Sequence, residues 1–138
     1  MAEETVVKEA LTEEMKRDGA TLTRALDEAG WPVVASFWYY EPDENRWKLM
    51  FASPRVSADG PTEAYGVVIE ALDTHHLSRT NLKHITVITP DHPIVRALAS
   101  EVQTGWTIGG KLHTARAING RFIEDSYLYR MTSESAAA

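Results

Sequence analysis

The sequence predicts an α+β domain built from a mainly antiparallel five-stranded sheet and three helices, in the order α-β-β-α-β-α-β-β. Two observations predict this class: apolar residues recur at helical spacing in three segments, and five short runs are rich in β-branched and aromatic residues. The chain of 138 residues has the usual length of one domain. We expect residues 1–131 to form that domain and the small, polar residues 132–138 to form a disordered tail.

The first element is a helix across roughly residues 5–29. The apolar residues on its one face are Val7, Leu11, Met15, Leu22, Leu26 and Ala29. Asp18 and Gly19 interrupt this face and are expected to bend or split the helix, because glycine costs about 1 kcal/mol relative to alanine in a helix interior. The sequence leaves open whether residues 1–17 pack on the protein's own core or protrude as a helical segment toward another subunit.

An antiparallel hairpin follows, with strands over residues 33–40 and 46–52. By alternation, aromatic side chains point to both faces of its first strand: Phe37 and Tyr39 to one face, Trp38 and Tyr40 to the other. Two explanations stay open. Either helices cover both faces, or one face is kept for a partner or a ligand, with Trp38, Tyr40 and Trp47 as its candidate contacts.

Turn signals predict the remaining elements. Pro61 opens a second helix, residues 85–88 form a strand, and a third helix covers about residues 94–102. Two strands over residues 111–118 and 121–130 close the chain.

The last hairpin carries the strongest local signal in the sequence. Asn119-Gly120 supplies the positive φ angles that a tight type I′ turn needs. With a two-residue turn, Arg116 lies diagonal to Asp125, which predicts a cross-strand ion pair.

Two loops hold candidate ligand contacts. The glycine-marked segment 105–111 is expected to form a mobile lip, with Trp106 and Lys111 beside a ligand. It matches the start of a phosphate-binding loop, but Leu112 replaces the required Ser or Thr. Asp91 and His92 lie where a strand gives way to a helix. They could form a base or an anion site there, but a helix cap before Pro93 is the simpler interpretation.

A metal site has weak support. Asp73 and His76 share a helix face and could bind zinc, manganese or iron, but they need a third ligand from His84, His92 or His113. A polar helix end explains the same residues more simply. With no cysteine, thiolate nucleophiles and cysteine-based zinc sites are excluded, and the sequence identifies no cofactor.

The charge distribution bears on partners. The net charge of −6 argues against nonspecific nucleic-acid binding. Residues 1–76 hold 15 acidic and 7 basic residues, whereas residues 77–130 hold 7 basic and 4 acidic ones. This asymmetry is typical of ordinary surfaces, although the basic half could meet an anion or an acidic partner. No secretory signal and no apolar run long enough for a membrane span are present, so we expect a cytoplasmic protein.

The first hairpin resembles the opening strand pair of GAF-type sensory domains. The resemblance covers residues 34–43 and 47–53, about 20 of the 138 residues. It implies an initial helix and an antiparallel sheet with a small-molecule pocket on one face. The glycine-rich stretch usual after these strands is missing here, as is a chromophore cysteine.

No complete catalytic set is visible, so a non-enzymatic function is the main expectation. We expect a binding or assembly module, either a homo-oligomer or a small subunit of a larger complex. A GAF-like small-molecule sensor is the first alternative. A metal-dependent hydrolase using Asp73 and His76 is the second.

Overall fold

The computed structural model describes residues 8–77 and 80–133. Its elements in chain order are α1 (Glu13–Glu28), β1 (Ala35–Glu41), β2 (Arg46–Ala52), α2 (Arg55–Asp59), α3 (Pro61–His75), a 3₁₀ turn (Leu82–His84), β3 (Ile85–Ile88), α4 (Pro93–Ala99), β4 (Lys111–His113), β5 (Arg116–Ile118), β6 (Arg121–Ile123) and β7 (Ser126–Met131). The fold is α+β, as predicted. The described residues form four α-helices instead of three, because the short α2 precedes α3.

The main sheet is mixed, because it contains a parallel strand pair in addition to antiparallel pairs. Its strand order is β3-β2-β1-β7-β4, and β5 and β6 form a separate two-stranded sheet. β1 pairs antiparallel with β2 and β7, whereas β3 runs parallel to β2. The parallel pair arises because α2 and α3 carry the chain back across the sheet before β3 begins. The sequence did not predict this pair.

The predicted turn of the last hairpin is confirmed. Asn119 and Gly120 have φ angles of 49° and 81°, and Ile118 pairs with Arg121. The hairpin is not continuous, however. Its outer part is the β5–β6 sheet, and its inner part pairs β4 with β7 in the main sheet.

The break in this hairpin is held by Asp125. Its Oδ1 accepts a 2.6 Å hydrogen bond from the backbone N–H of Ala115, so a side chain replaces the backbone ladder at this point. The carboxylate also pairs with Lys8, while Arg116 pairs with Glu101. The predicted Arg116–Asp125 ion pair was therefore wrong, because the break gives each residue another partner.

Helix α1 begins later than the sequence predicts. Thr12 caps it, and the Thr12 Oγ1 accepts a hydrogen bond of 3.2 Å from the Met15 N–H. The interior Gly19 does not break the helix. A Cβ at this position would lie 2.3 Å from the Tyr129 hydroxyl oxygen, so glycine is required by the close approach of that side chain. The expected split of the helix at Asp18-Gly19 is therefore wrong.

Each face of the sheet carries its own buried cluster. α1 and α3 cover one face, and α4 with the β5–β6 sheet covers the other. Large buried side chains of the first cluster include Trp38, Trp47, Phe51 and Tyr129, and those of the second include Phe37, Tyr39, Leu128 and Met131.

The predicted tail, residues 132–138, starts as ordered backbone. Thr132 is buried, and its N–H donates a hydrogen bond of 2.9 Å to the carbonyl of Val34. Residues 134–138 lie outside the described residues, as do residues 1–7.

Candidate interaction surface

Trp38 lies under α1 with no exposed surface. Its indole N–H is shared between the Met15 carbonyl, at 3.2 Å, and the Tyr129 hydroxyl oxygen, at 3.0 Å. Tyr129 in turn donates a hydrogen bond of 2.6 Å to the Lys16 carbonyl. Burial raises the pKa of Tyr129 far above its ordinary value, so this phenol stays protonated and keeps donating. Trp38 is therefore a fully bonded core residue.

Residues 8–12 form a strap over the rest of this face. The Trp47 indole N–H donates a hydrogen bond of 2.8 Å to the Glu9 carbonyl, and the Trp47 backbone N–H donates one of 2.9 Å to the Glu9 carboxylate. The Lys8 ammonium lies 4.3 Å from the centre of the Tyr40 ring. This described part of the N-terminal segment packs on its own protomer.

Both faces of the first hairpin are thus covered, which was the first of the two explanations left open. Tyr40 is 9% exposed and Trp47 is 4% exposed, so neither offers a free aromatic surface. A docking role for Trp38, Tyr40 and Trp47 would require the strap and α1 to detach from this face of the sheet.

Trp106, predicted to lie in a mobile lip, contacts Arg130 through its carbonyl and its ring. Its carbonyl accepts hydrogen bonds from Arg130 Nε, at 3.1 Å, and from Nη2, at 2.6 Å, and its ring lies 5.2 Å from the same guanidinium. Arg130 is 2% exposed and also forms a bidentate pair with Asp27 at 2.8 and 2.7 Å. A distant arginine thus holds Trp106 within the segment predicted to form a mobile lip, and the mobility of that segment stays a prediction.

Lys111 lies at an open edge of the main sheet. The carbonyl of Asp125 accepts a hydrogen bond from the N–H of Tyr40 in β1. The backbone groups of Asp125 therefore face β1. Because successive residues of a strand direct their N–H and C=O groups to opposite sides, those of Ser126 and Leu128 face β4. Leu112 stands opposite Tyr127, so its own N–H and C=O point away from the sheet. No described residue bonds to them.

At the other edge of the sheet, a side chain bonds to an outward backbone group. The outward N–H of Val87 in β3 donates a hydrogen bond of 3.3 Å to the hydroxyl of Tyr65 on α3. The two edges therefore differ in one respect that matters for strand pairing: a side chain caps β3, and nothing in the described residues caps β4.

β4 and β6 each carry an exposed apolar side chain. Leu112 is 60% exposed and Phe122 is 59% exposed, the two highest values among the large hydrophobic residues described. Phe122 lies on the outer face of β6, since its neighbour Ile123 is buried against the core. Neither residue was singled out from sequence, where both are typical of core strands.

An ionic cluster lies beside β4. His113 is 7% exposed, and its Nε2 lies 3.2 Å from the carboxylate of Glu101, which also pairs with Arg116.

Asp91 and His92 lie at the start of α4. His92 is the N-cap of α4, and its Nδ1 accepts a hydrogen bond of 3.2 Å from the Ile94 N–H, so the capping hypothesis is confirmed. Burial, and then the positive charge of Arg121, lower the pKa of His92. Asp91 accepts a hydrogen bond from the Thr89 hydroxyl.

Asp73 and His76 lie at the exposed end of α3, where His76 is the C-cap with a φ angle of 47°. In residues 8–77 and 80–133, no three His, Asp or Glu side chains are grouped to hold a metal ion. The third ligand that the metal hypothesis requires is thus not observed there.

Comparison with protein-family models, with curated proteins and with solved structures found no match to this chain. Across the described part of the chain, no helix combines the length and apolar character that crossing a membrane demands.

Proposed function

We propose that this protein is a non-enzymatic assembly module that associates with a second copy of itself through the free edge of β4. The observation that carries the proposal is the combination, at Leu112, of outward backbone groups and a 60% exposed apolar side chain. An edge strand with free N–H and C=O groups is a ready template for another strand.

A two-fold axis at Leu112 satisfies the backbone of both copies. Antiparallel pairing there lets each Leu112 N–H donate to the carbonyl of the other Leu112, and it brings the two leucine side chains together. One open edge per protomer produces a closed dimer, because the β3 edge is capped by Tyr65.

Charge across such a pair is also compatible. Antiparallel pairing at Leu112 places Lys111 opposite His113 of the second copy, next to the carboxylate of Glu101. Lys111 of one copy then lies beside a carboxylate as well as beside the imidazole of His113. β4 has three residues, so the interface is small and the dimer is expected to depend on concentration.

Sedimentation velocity of the full chain over a wide concentration range tests the proposal. We expect a monomer–dimer equilibrium, which Leu112→Glu abolishes by placing two carboxylates face to face at the axis. Ile69→Glu is the matched control, because Ile69 is a 41% exposed residue on the outer face of α3. A monomer at every concentration, or equal loss of the dimer in both variants, would contradict the proposal.

The two alternative functions have less support. A sensor pocket over the sheet would need an uncovered face, and both faces carry buried clusters. A hydrolase would need a third ligand near Asp73 and His76.

A further inference from the structure

A groove of about 440 Å³ lies between α4 and the β5–β6 sheet, on the inner side of that hairpin. Arg96 of α4 and Arg121 of β6 line it from its two walls, and Ile118 contributes apolar surface. Two different elements thus bring two arginine residues to one concave surface.

These two arginines differ from a neighbouring arginine in their ion pairing. Arg116 pairs with Glu101, whereas no described residue forms an ion pair or a side-chain hydrogen bond with the guanidinium group of Arg96 or of Arg121. Guanidinium groups hold carboxylate and phosphate oxygens with paired, charge-assisted hydrogen bonds. A groove lined by two arginines whose guanidinium groups bond to no described acceptor is suited to an anion.

One carboxylate limits which anion fits. Asp91 also lines the groove and accepts the hydroxyl proton of Thr89. Its negative charge disfavours ligands with several closely spaced charges and favours a ligand that carries a hydroxyl or amine donor beside its anionic group. The carboxamide of Asn119 adds a neutral polar group at the rim.

We propose that this groove binds the oxyanion of a small molecule, a phosphate or carboxylate group, with Arg96 and Arg121 as its two ligands. No residue of β4 lines the groove, so this proposal does not rest on the proposed self-association.

His92 provides an internal reporter of occupancy. The charged groups that act on its imidazole are Arg121, which lowers its pKa, and Asp91, which raises it, in addition to burial. An anion on Arg121 offsets the positive charge and therefore raises the pKa of His92.

The test is a titration of the full chain with inorganic phosphate and, separately, with acetate at constant ionic strength. NMR follows the backbone amides of Ala97 and Asn119 and the ring of His92. We expect saturable shifts and a rise in the pKa of His92, with affinity reduced about tenfold or more in Arg96→Ala and in Arg121→Ala.

Arg24→Ala is the matched control, because Arg24 is an exposed residue of α1 far from this groove in the fold. Saturation by phosphate alone identifies a phosphate ester as the ligand class, and saturation by acetate extends it to carboxylates. No saturation with either anion, or equal weakening by Arg24→Ala, overturns the inference. All three arginines are exposed, so amide dispersion outside the groove should show an intact fold in each variant.

Discussion

The first hairpin and the β5–β6 hairpin are built from similar sequence signals but end in opposite environments. In the first, adjacent residues Phe37 and Trp38 point to opposite faces and both are fully buried. In the second, Ile123 is fully buried while its neighbour Phe122 is 59% exposed. The first hairpin is the middle layer of the molecule, whereas the second is an outer layer. Layer position, not aromatic content, decides which strand residues reach solvent.

The largest expected effect compares one aromatic residue from each hairpin. Trp38→Ala removes a buried indole and its hydrogen bonds, so we expect the free energy of unfolding to fall by about 3–5 kcal/mol. Phe122→Ala should change it by less than about 0.5 kcal/mol in the monomer. Urea denaturation at low protein concentration measures both. Similar losses would show that Phe122 packs as a core residue.

The next effect concerns the buried arginine beside the first hairpin. Asp27→Asn leaves the 2% exposed Arg130 without its carboxylate, and because Asp27 is partly exposed we expect a loss of about 2–3 kcal/mol. Asp59→Asn removes the surface pair with Arg55 and should cost less than about 1 kcal/mol. The same denaturation experiment compares them. Equal costs would contradict a special role for the buried pair.

Two glycine substitutions should change the stability of the protein in opposite directions. Gly66→Ala in α3 meets no atom within 4 Å and should stabilise the protein by about 0.5–1 kcal/mol, as expected in a helix interior. Gly19→Ala would place a methyl group against Tyr129, so we expect a loss of about 1–3 kcal/mol. Thermal unfolding of both variants measures whether each substitution stabilises or destabilises the protein. Stabilisation by Gly19→Ala would mean that Tyr129 moves away at little cost.

Features set by neighbouring residues could be predicted from the sequence. The Asn119-Gly120 turn follows from backbone preferences, and the His92 cap follows from the proline after it. The general α+β class follows from periodicity. These signals act over a few residues and survive in any fold that contains them.

Features set by distant residues could not be predicted. Helix α1 starts late because Glu9 bonds to Trp47, 38 residues away, instead of entering the helix. Gly19 is explained by Tyr129, and the pinned Trp106 loop by Arg130. The free β4 edge depends on sheet order, which no local pattern in the sequence encodes.

The smallest expected effect tests how the outer hairpin acts on α4. The fold lowers the pKa of His92 below its unfolded value of about 6.5, so it favours the neutral ring that caps α4. This contribution is complete above pH 6.5 and is lost as the pH falls through the folded pKa.

His92→Asn keeps a capping side chain but removes the titration. Between about pH 7.5 and pH 5, the wild type should therefore lose more stability than this variant, by less than about 1 kcal/mol. Urea denaturation at the two pH values gives the difference, in which the other histidines cancel. Arg121→Ala should shrink the effect, because the charge of the outer hairpin contributes to the shift after burial. A pH-independent difference between wild type and His92→Asn would show that the ring is not held neutral by the fold.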